Sequence, residues 1–183
     1  DLHREVSPAE VIKLLLEVHP DGAKAKDKYE RLPLHYAAEN KAPSEVIKLL
    51  LEAYPDGAKV KDKYEKLPLR WAAENNAPVE VIKLLLEAHP DGVKAKDKYE
   101  KLPLHLALEK NAPAEVIKLL LEAHLDGAKA KDKDERLPLH YAGQESAPAE
   151  VIKLLLEAHP DGAKAKDKYE RLPLHYAGQG AAP

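Results

Sequence analysis

Cysteine, methionine, phenylalanine and threonine are all absent from this chain, and serine occurs only at 7, 44 and 146. Without thiols there are no disulfides and no thiolate metal sites, and the redox compartment leaves no mark on the sequence. The three serines stand at starts of helical patterns, two of them beside proline, with no glycine-rich elbow or oxyanion nest, so no nucleophile constellation forms. No apolar run approaches the length of a membrane span and no signal-peptide core is present, which favours an intracellular setting without fixing one. With no initiator methionine, the sequence reads as a processed form, a fragment or part of something longer. Neither sign of charge dominates. Lys and Arg number 29 against 32 Asp and Glu, closely interspersed, for a formal net charge of −3. That balance argues against a polyanion or RNA partner and against an acidic tail.

What the chain does have is repetition. Glu-Val-Ile-Lys-Leu-Leu-Leu-Glu begins unchanged at Glu10, Glu45, Glu80, Glu115 and Glu150, a step of 35 residues each time. A period of this size means one supersecondary unit stacked on copies of itself, with each copy covering the apolar face of the next.

Residues 32–66 show the unit. Leu32-Pro33-Leu34-His35-Tyr36-Ala37-Ala38-Glu39-Asn40 opens with proline, whose missing N–H costs nothing at a first helical position. Leu34, Ala37 and Ala38 then form a narrow apolar stripe that lets another helix approach closely. After a break at Lys41-Ala42, a second helix is expected from Pro43, again as its first residue, to about Tyr54. Glu45 lies in its first turn, at the positive end of the dipole. Val46, Ile47, Leu49, Leu50, Leu51 and Ala53 wrap most of its circumference and leave Lys48 and Glu52 solvated, so this helix must be sandwiched between neighbours. In the first copy Ser7-Pro8-Ala9-Glu10 makes a capping box. Pro55-Asp56-Gly57 reads as a turn that ends the long helix. Ala58-Lys59-Val60-Lys61-Asp62-Lys63-Tyr64-Glu65-Lys66 reads as an extended arm with a hairpin-like tip. The pattern places long helices near 8–19, 43–54, 78–89, 113–124 and 148–159. Short helices are placed near 33–40, 68–75, 103–110, 138–145 and 173–179, in a single array over 1–183.

Helix-turn-helix families of similar period, some of which read RNA, leave little room for the arm. The motif Leu-Pro-Leu-His-Tyr-Ala at 32–37, 137–142 and 172–177, with Leu67-Pro68-Leu69-Arg70-Trp71-Ala72 and Leu102-Pro103-Leu104-His105-Leu106-Ala107, resembles the core of the ankyrin repeat. The octapeptide resembles that family's second helix, and Ala-Lys-Ala-Lys-Asp-Lys its arm. The resemblance runs from Ser7 to the last residue and implies an all-α repeat solenoid, its helix-turn-helix units joined by extended hairpin-like arms. Two departures stand out: the period exceeds the family's usual one by two residues, and leucine replaces the threonine that caps the short helix. Leu32 and its equivalents cannot cap, so the histidine must find a backbone partner instead. Glu30, Glu65, Glu100, Glu135 and Glu170 also stand where the family's arm turns on glycine.

The resemblance implies a non-catalytic scaffold that binds a protein on a concave face made by the arm tips and short helices. Matched by position, the candidate contact residues are Lys28, Tyr29 and Arg31; Lys63, Tyr64 and Lys66; Lys98, Tyr99 and Lys101; Arg136; and Lys168, Tyr169 and Arg171. Tyrosine offers rigid contact area and arginine pairs with carboxylates, which suits an interface. Asp134 interrupts the tyrosine row. Because the tips are so alike, a partner that is itself periodic would fit. No catalytic residue, cofactor or metal is expected. His35, His105, His140 and His175 recur in register, but stacked helices lie about 8–10 Å apart. Adjacent copies therefore cannot share one ion at the ligand distance of about 2 Å. Tyr36, Trp71, Leu106, Tyr141 and Tyr176 are expected to pack between repeats. A rival reading is architectural. Val11, Ile12, Leu14 and Leu15 in the first long helix would face Leu174, Ala177 and the Tyr176 region of another copy, stacking molecules head to tail.

Overall fold

Proline positions and apolar spacing set the helices. The computed structural model describes residues 6–180, so the outermost parts of the expected array, 1–5 and 181–183, lie outside the described residues. Ten α-helices follow one another: α1 (Pro8–Val18), α2 (Pro33–Glu39), α3 (Ser44–Ala53), α4 (Pro68–Glu74), α5 (Val79–Ala88), α6 (Pro103–Glu109), α7 (Ala114–Ala123), α8 (Pro138–Gln144), α9 (Ala149–Ala158) and α10 (Pro173–Gly180). No strand occurs among the described residues. Odd-numbered helices through α9, with α10 closing the even series, give the long and short members of each unit.

Three local expectations need correction. Pro43 is not the first residue of its helix but its N-cap, with extended ψ of 146°, and Pro78, Pro113 and Pro148 behave alike. The proline carbonyl takes the first helical bond, as from Val46 N–H to Pro43 O at 2.9 Å. Among the described long helices only α1 keeps a side-chain cap, the Ser7 hydroxyl accepting Glu10 N–H at 3.2 Å. Next, each Asp-Gly turn is a full turn of 3-10 helix: Pro20–Lys24, Pro55–Lys59, Pro90–Lys94, Leu125–Lys129 and Pro160–Lys164. The preceding residue's carbonyl accepts the glycine N–H, as His19 O does from Gly22 at 2.9 Å. No described glycine has positive φ. Gly57 instead sits in a close contact, since a Cβ there would meet Tyr54 Cδ1 at 3.2 Å and the ring would have to give by a few tenths of an ångström. Finally, the left-handed positions belong to larger residues: Glu30, Glu65, Glu100, Glu135 and Glu170 at the arm tips (φ 59–62°), and Lys41, Asn76, Asn111 and Ser146 after the short helices (φ 51–55°).

The chain divides into two compact units, the first ending at His89 and the second beginning at Pro90. Within the first unit α2 packs on α4, while α1, α3 and α5 lie side by side. Within the second, α8 packs on α6 and α10, and α7 lies beside α9. Each core is the seam between the short-helix layer and the long-helix layer. Ile47 and Ile82 fill it in one unit, Ile117 and Leu120 in the other, all essentially inaccessible. Each such side chain stabilises its unit by about 1.5–3 kcal/mol. Lys48 and Glu52 form the exposed strip on α3.

Four of the five described short helices are held at their starts by histidine; α4 carries Arg70 there instead. In α6, His105 Nδ1 accepts the Leu102 N–H at 3.1 Å, and Nε2 donates to the Ala130 carbonyl at 3.1 Å. His35 does the same with Leu32 and Val60. The histidine thus finds backbone partners on both sides and supplies the reciprocal half of a capping box, its ring at N3 accepting the N–H of the N-cap leucine. Both bonds need the neutral ring with its proton on Nε2. Burial pushes the His105 pKa down to about 4. It lowers His35 and His140 as well.

Candidate protein-interaction face

Each tip is organised by one aspartate. Asp27 Oδ1 accepts the backbone N–H groups of Tyr29 (2.8 Å) and Arg31 (2.9 Å), and its own N–H donates to Arg31 O at 3.0 Å. This closed turn, typical of aspartate, recurs at Asp62, Asp97, Asp132 and Asp167. The second carboxylate oxygen reaches the short helix nine residues on. It accepts the hydroxyl of Tyr36 at 2.6 Å, Trp71 Nε1–H at 2.9 Å, Tyr141 at 2.6 Å and Tyr176 at 2.7 Å. One carboxylate therefore clamps every tip carrying such an aromatic to its short helix.

The clamp shows in the proton affinities. The hydrogen bond from Tyr36 holds Asp27 below the usual carboxylate range. At Asp132 burial works against the charge, but the Tyr141 hydroxyl, the Arg136 backbone and the Arg136 guanidinium together outweigh it and lower the pKa. Burial, then the bond to Asp167, pushes Tyr176 up to about 12. Tyr141 moves the same way for the same reasons.

The residues expected at the interface fall into two groups. The first, Arg31, Lys66, Lys101, Arg136 and Arg171, is half-buried and committed to the fold. Arg31 pairs with Glu39 at 2.8 Å, Lys66 with Glu74 at 2.8 Å and Lys101 with Glu109 at 2.9 Å. Where the short helix carries Gln144 or Gln179 in place of that glutamate, the arginine turns back onto its own arm, Arg136 to Asp132 (3.0 Å) and Arg171 to Asp167 (2.9 Å). These cations also lie over aromatic rings: Arg31 is 4.7 Å from the Trp71 ring centroid, Lys66 4.0 Å from the same ring, and Arg136 4.6 Å from Tyr141.

The second group faces outward. Tyr64, Tyr99 and Tyr169 are each more than half exposed, and Lys28, Lys63, Lys98 and Lys168 are exposed beside them. Lys28, Lys98 and Lys168 place their ammonium groups 4.8–4.9 Å from the adjoining tyrosine centroid. In the first unit Tyr29 and Tyr64 stack with centroids 6.5 Å apart, and Lys63 N–H donates to Tyr29 O at 2.9 Å. In the second unit the same backbone bonds run from Lys133 to Tyr99 and from Lys168 to Asp134, both at 3.0 Å. The Lys168 ammonium also pairs with the Asp134 carboxylate, which raises the lysine pKa.

A family model described as ankyrin repeats (3 copies) matches residues 44–128, 69–166 and 104–182. The chain belongs to the ankyrin-repeat family. Ankyrin repeats generally mediate protein–protein interaction and are typically non-enzymatic scaffolds. No curated protein matched the chain. Among the described residues, no group of three or more His, Asp or Glu is arranged to hold a metal ion, and no helix is long and apolar enough to cross a membrane. The clamp aspartates Asp27, Asp62, Asp97, Asp132 and Asp167 were not anticipated from the sequence. Their signal was present as an aspartate in every arm, followed nine residues later by a hydrogen-bonding aromatic in four of five repeats.

Proposed function

We propose that this ankyrin-repeat chain is a non-catalytic scaffold that binds a protein partner on the face formed by the arm tips and short helices. The observation carrying this reading is that Tyr64 in the first unit, and Tyr99 and Tyr169 in the second, stand exposed on tips whose backbones are pinned by buried or half-buried aspartates. A rigid aromatic on a preorganised turn loses little entropy on binding. The lysines beside the rings complement an acidic or carbonyl-rich surface. Arg31, Lys66, Lys101, Arg136 and Arg171 contribute by holding the face in shape, since their charges are already paired. The near-identity of the tips suits a partner with a repeating surface.

The test is a Tyr64→Ala, Tyr99→Ala double variant. Affinity capture from the native source, with mass spectrometry, identifies what the wild-type chain retains and whether the variant releases it. Truncating hot-spot aromatics costs about 2 kcal/mol or more each, so retention should fall by well over tenfold while the melting temperature stays put. Equal losses of binding and stability would make these tyrosines packing groups. A steep loss of binding with added salt would point to a polyanion instead.

A further inference from the structure

Charges on the two tips of the first unit do not cancel where a ligand would meet them. Segments 26–31 and 61–66 each carry three cations against two anions. Both anions of each tip are engaged. Asp27 and Asp62 accept backbone N–H groups and the side chains of Tyr36 and Trp71. Glu30 pairs with Lys26 at 3.7 Å and Glu65 with Lys61 at 2.7 Å. Arg31 and Lys66 are held by Glu39 and Glu74 on the short helices. Lys28 and Lys63 are left over. Both are exposed, and neither has a carboxylate within ion-pair distance among the described residues. The Lys28 ammonium rests 4.8 Å from the Tyr29 centroid, and the Lys63 backbone is fixed by its bond to Tyr29 O at 2.9 Å.

The spacing of these tips suits one kind of chain. The rings of Tyr29 and Tyr64 lie within 26° of parallel, with centroids 6.5 Å apart. An extended peptide rises about 3.3 Å per residue and points alternate side chains to the same side, so residues i and i+2 lie about 6.6 Å apart on one face. A helical segment does not match, because its residues i and i+2 point in different directions. A phosphate backbone matches poorly too: Glu30 and Glu65 directly follow the tyrosines and would face an unbroken line of negative charge. A peptide can place neutral residues there and keep its carboxylates for the lysines.

We propose, building on the reading of the tips as a protein-binding face, that the first unit takes an extended acidic segment of its partner. Carboxylates two residues apart reach the Lys28 and Lys63 ammonium groups while the segment crosses the Tyr29–Tyr64 pair. The second unit breaks the pattern. Asp134 stands there in place of a ring and pairs with the Lys168 ammonium, and segment 131–136 carries three cations against three anions.

The probe is a capped eight-residue peptide of alternating Glu and Ser, titrated into the full chain and followed by backbone amide shifts. Amides of 28–31 and 63–66 should move together and saturate. An isomer reading Glu-Glu-Ser-Ser twice over has the same charge but no carboxylates two residues apart, so it should bind at least about threefold more weakly. Lys28→Gln with Lys63→Gln should weaken the alternating peptide about three- to thirtyfold, the range for two exposed charge pairs. Lys28→Arg with Lys63→Arg should preserve binding. All four substitutions are at exposed sites, so melting temperatures should not change. Two charge contacts give a shallow salt response, unlike the steep slope of a polyanion. No saturable shift, equal binding of the isomers, a Gln variant that binds like wild type, shifts centred on 133–136, or tighter binding of poly(U) than of the peptide overturns the proposal. If Tyr64→Ala with Tyr99→Ala releases the captured partner and the Glu-Ser peptide still fails to bind, the face stands and only its acidic ligand falls.

Discussion

Acid should unfold this protein in a window set by its buried histidines. His105 is the clearest case. Its Nδ1 faces the Leu102 N–H donor and its Nε2–H faces the Ala130 carbonyl, so a second ring proton would set donor against donor. Its folded pKa is about 4 against an ordinary value of 6.5. A histidine whose folded pKa is depressed contributes stability that is fully present above its unfolded pKa. That contribution disappears as pH falls from 6.5 towards 4 and then levels off. A gap of about 2.5 units at 1.36 kcal/mol per unit corresponds to about 3 kcal/mol from this one residue. His35 and His140 act in the same direction. The lowered carboxylates, Asp27 and Asp132 among them, are lost only below their ordinary value of 3.8 and so fall outside the window. Urea unfolding monitored by circular dichroism at pH 7.5, 6.5, 5.5 and 4.5 should give midpoints that fall steadily below pH 6.5. In a His105→Gln variant the slope over that range should shrink by up to one proton's worth. Imidazole nitrogen shifts at pH 7 should identify the Nε2–H tautomer. A midpoint flat between pH 6.5 and 4.5, or a slope unchanged by His105→Gln, would refute the argument.

Two further expectations rest on backbone geometry. Gly143→Ala should destabilise the second unit and speed hydrogen exchange in α10, because the new Cβ would lie 2.7 Å from the Pro173 carbonyl. Gly178→Ala, with nothing within 4 Å, should stabilise α10 by up to about 1 kcal/mol through helix propensity. Thermal melts of the two variants should shift in opposite directions, and a parallel rise would discredit the steric reading of Gly143. Lys41→Asn should stabilise by up to about 1 kcal/mol, since Lys41 holds φ at 55° and asparagine tolerates the left-handed region better. Urea midpoints for wild type and variant decide this, and a lower midpoint would count against it.

Much of the fold was legible because it depends on short-range pattern. Proline starts, the aliphatic octapeptide and the absence of a capping side chain at Leu32 fix both helices, and they force the histidine onto the backbone. What escaped was set by contacts that the repeat pattern does not encode. The glutamates at the tips take left-handed φ because the aspartate three residues earlier dictates the turn, and glycine is a preference there, not a necessity. Gly143 looks from sequence like a weakened alanine position, yet a Cβ there would meet the Pro173 carbonyl of α10 at 2.7 Å. The pairing of Arg136 and Arg171 with their own arms follows from one glutamate-to-glutamine exchange eight residues away. That exchange reads as conservative until the carboxylate's partner is known. For the candidate face, the exposed tyrosines and lysines could be named from the motif alone. The division between outward and committed cations required side-chain geometry.

The link between neighbouring tips is made by main-chain atoms, from the N–H of one tip to the carbonyl of the residue before it in the stack. It is the same at 2.9 Å from Lys63 to Tyr29 and at 3.0 Å from Lys168 to Asp134, although one acceptor belongs to a tyrosine and the other to an aspartate. The scaffold therefore does not depend on what the tip side chain is. Position 29 and its counterparts form a series of display sites that mutation can rewrite one at a time, with the frame unaware of the edit. Near-identical tips joined in this way within each unit are a blank alphabet, in which new specificities can be spelled by changing letters without reopening the grammar of the fold.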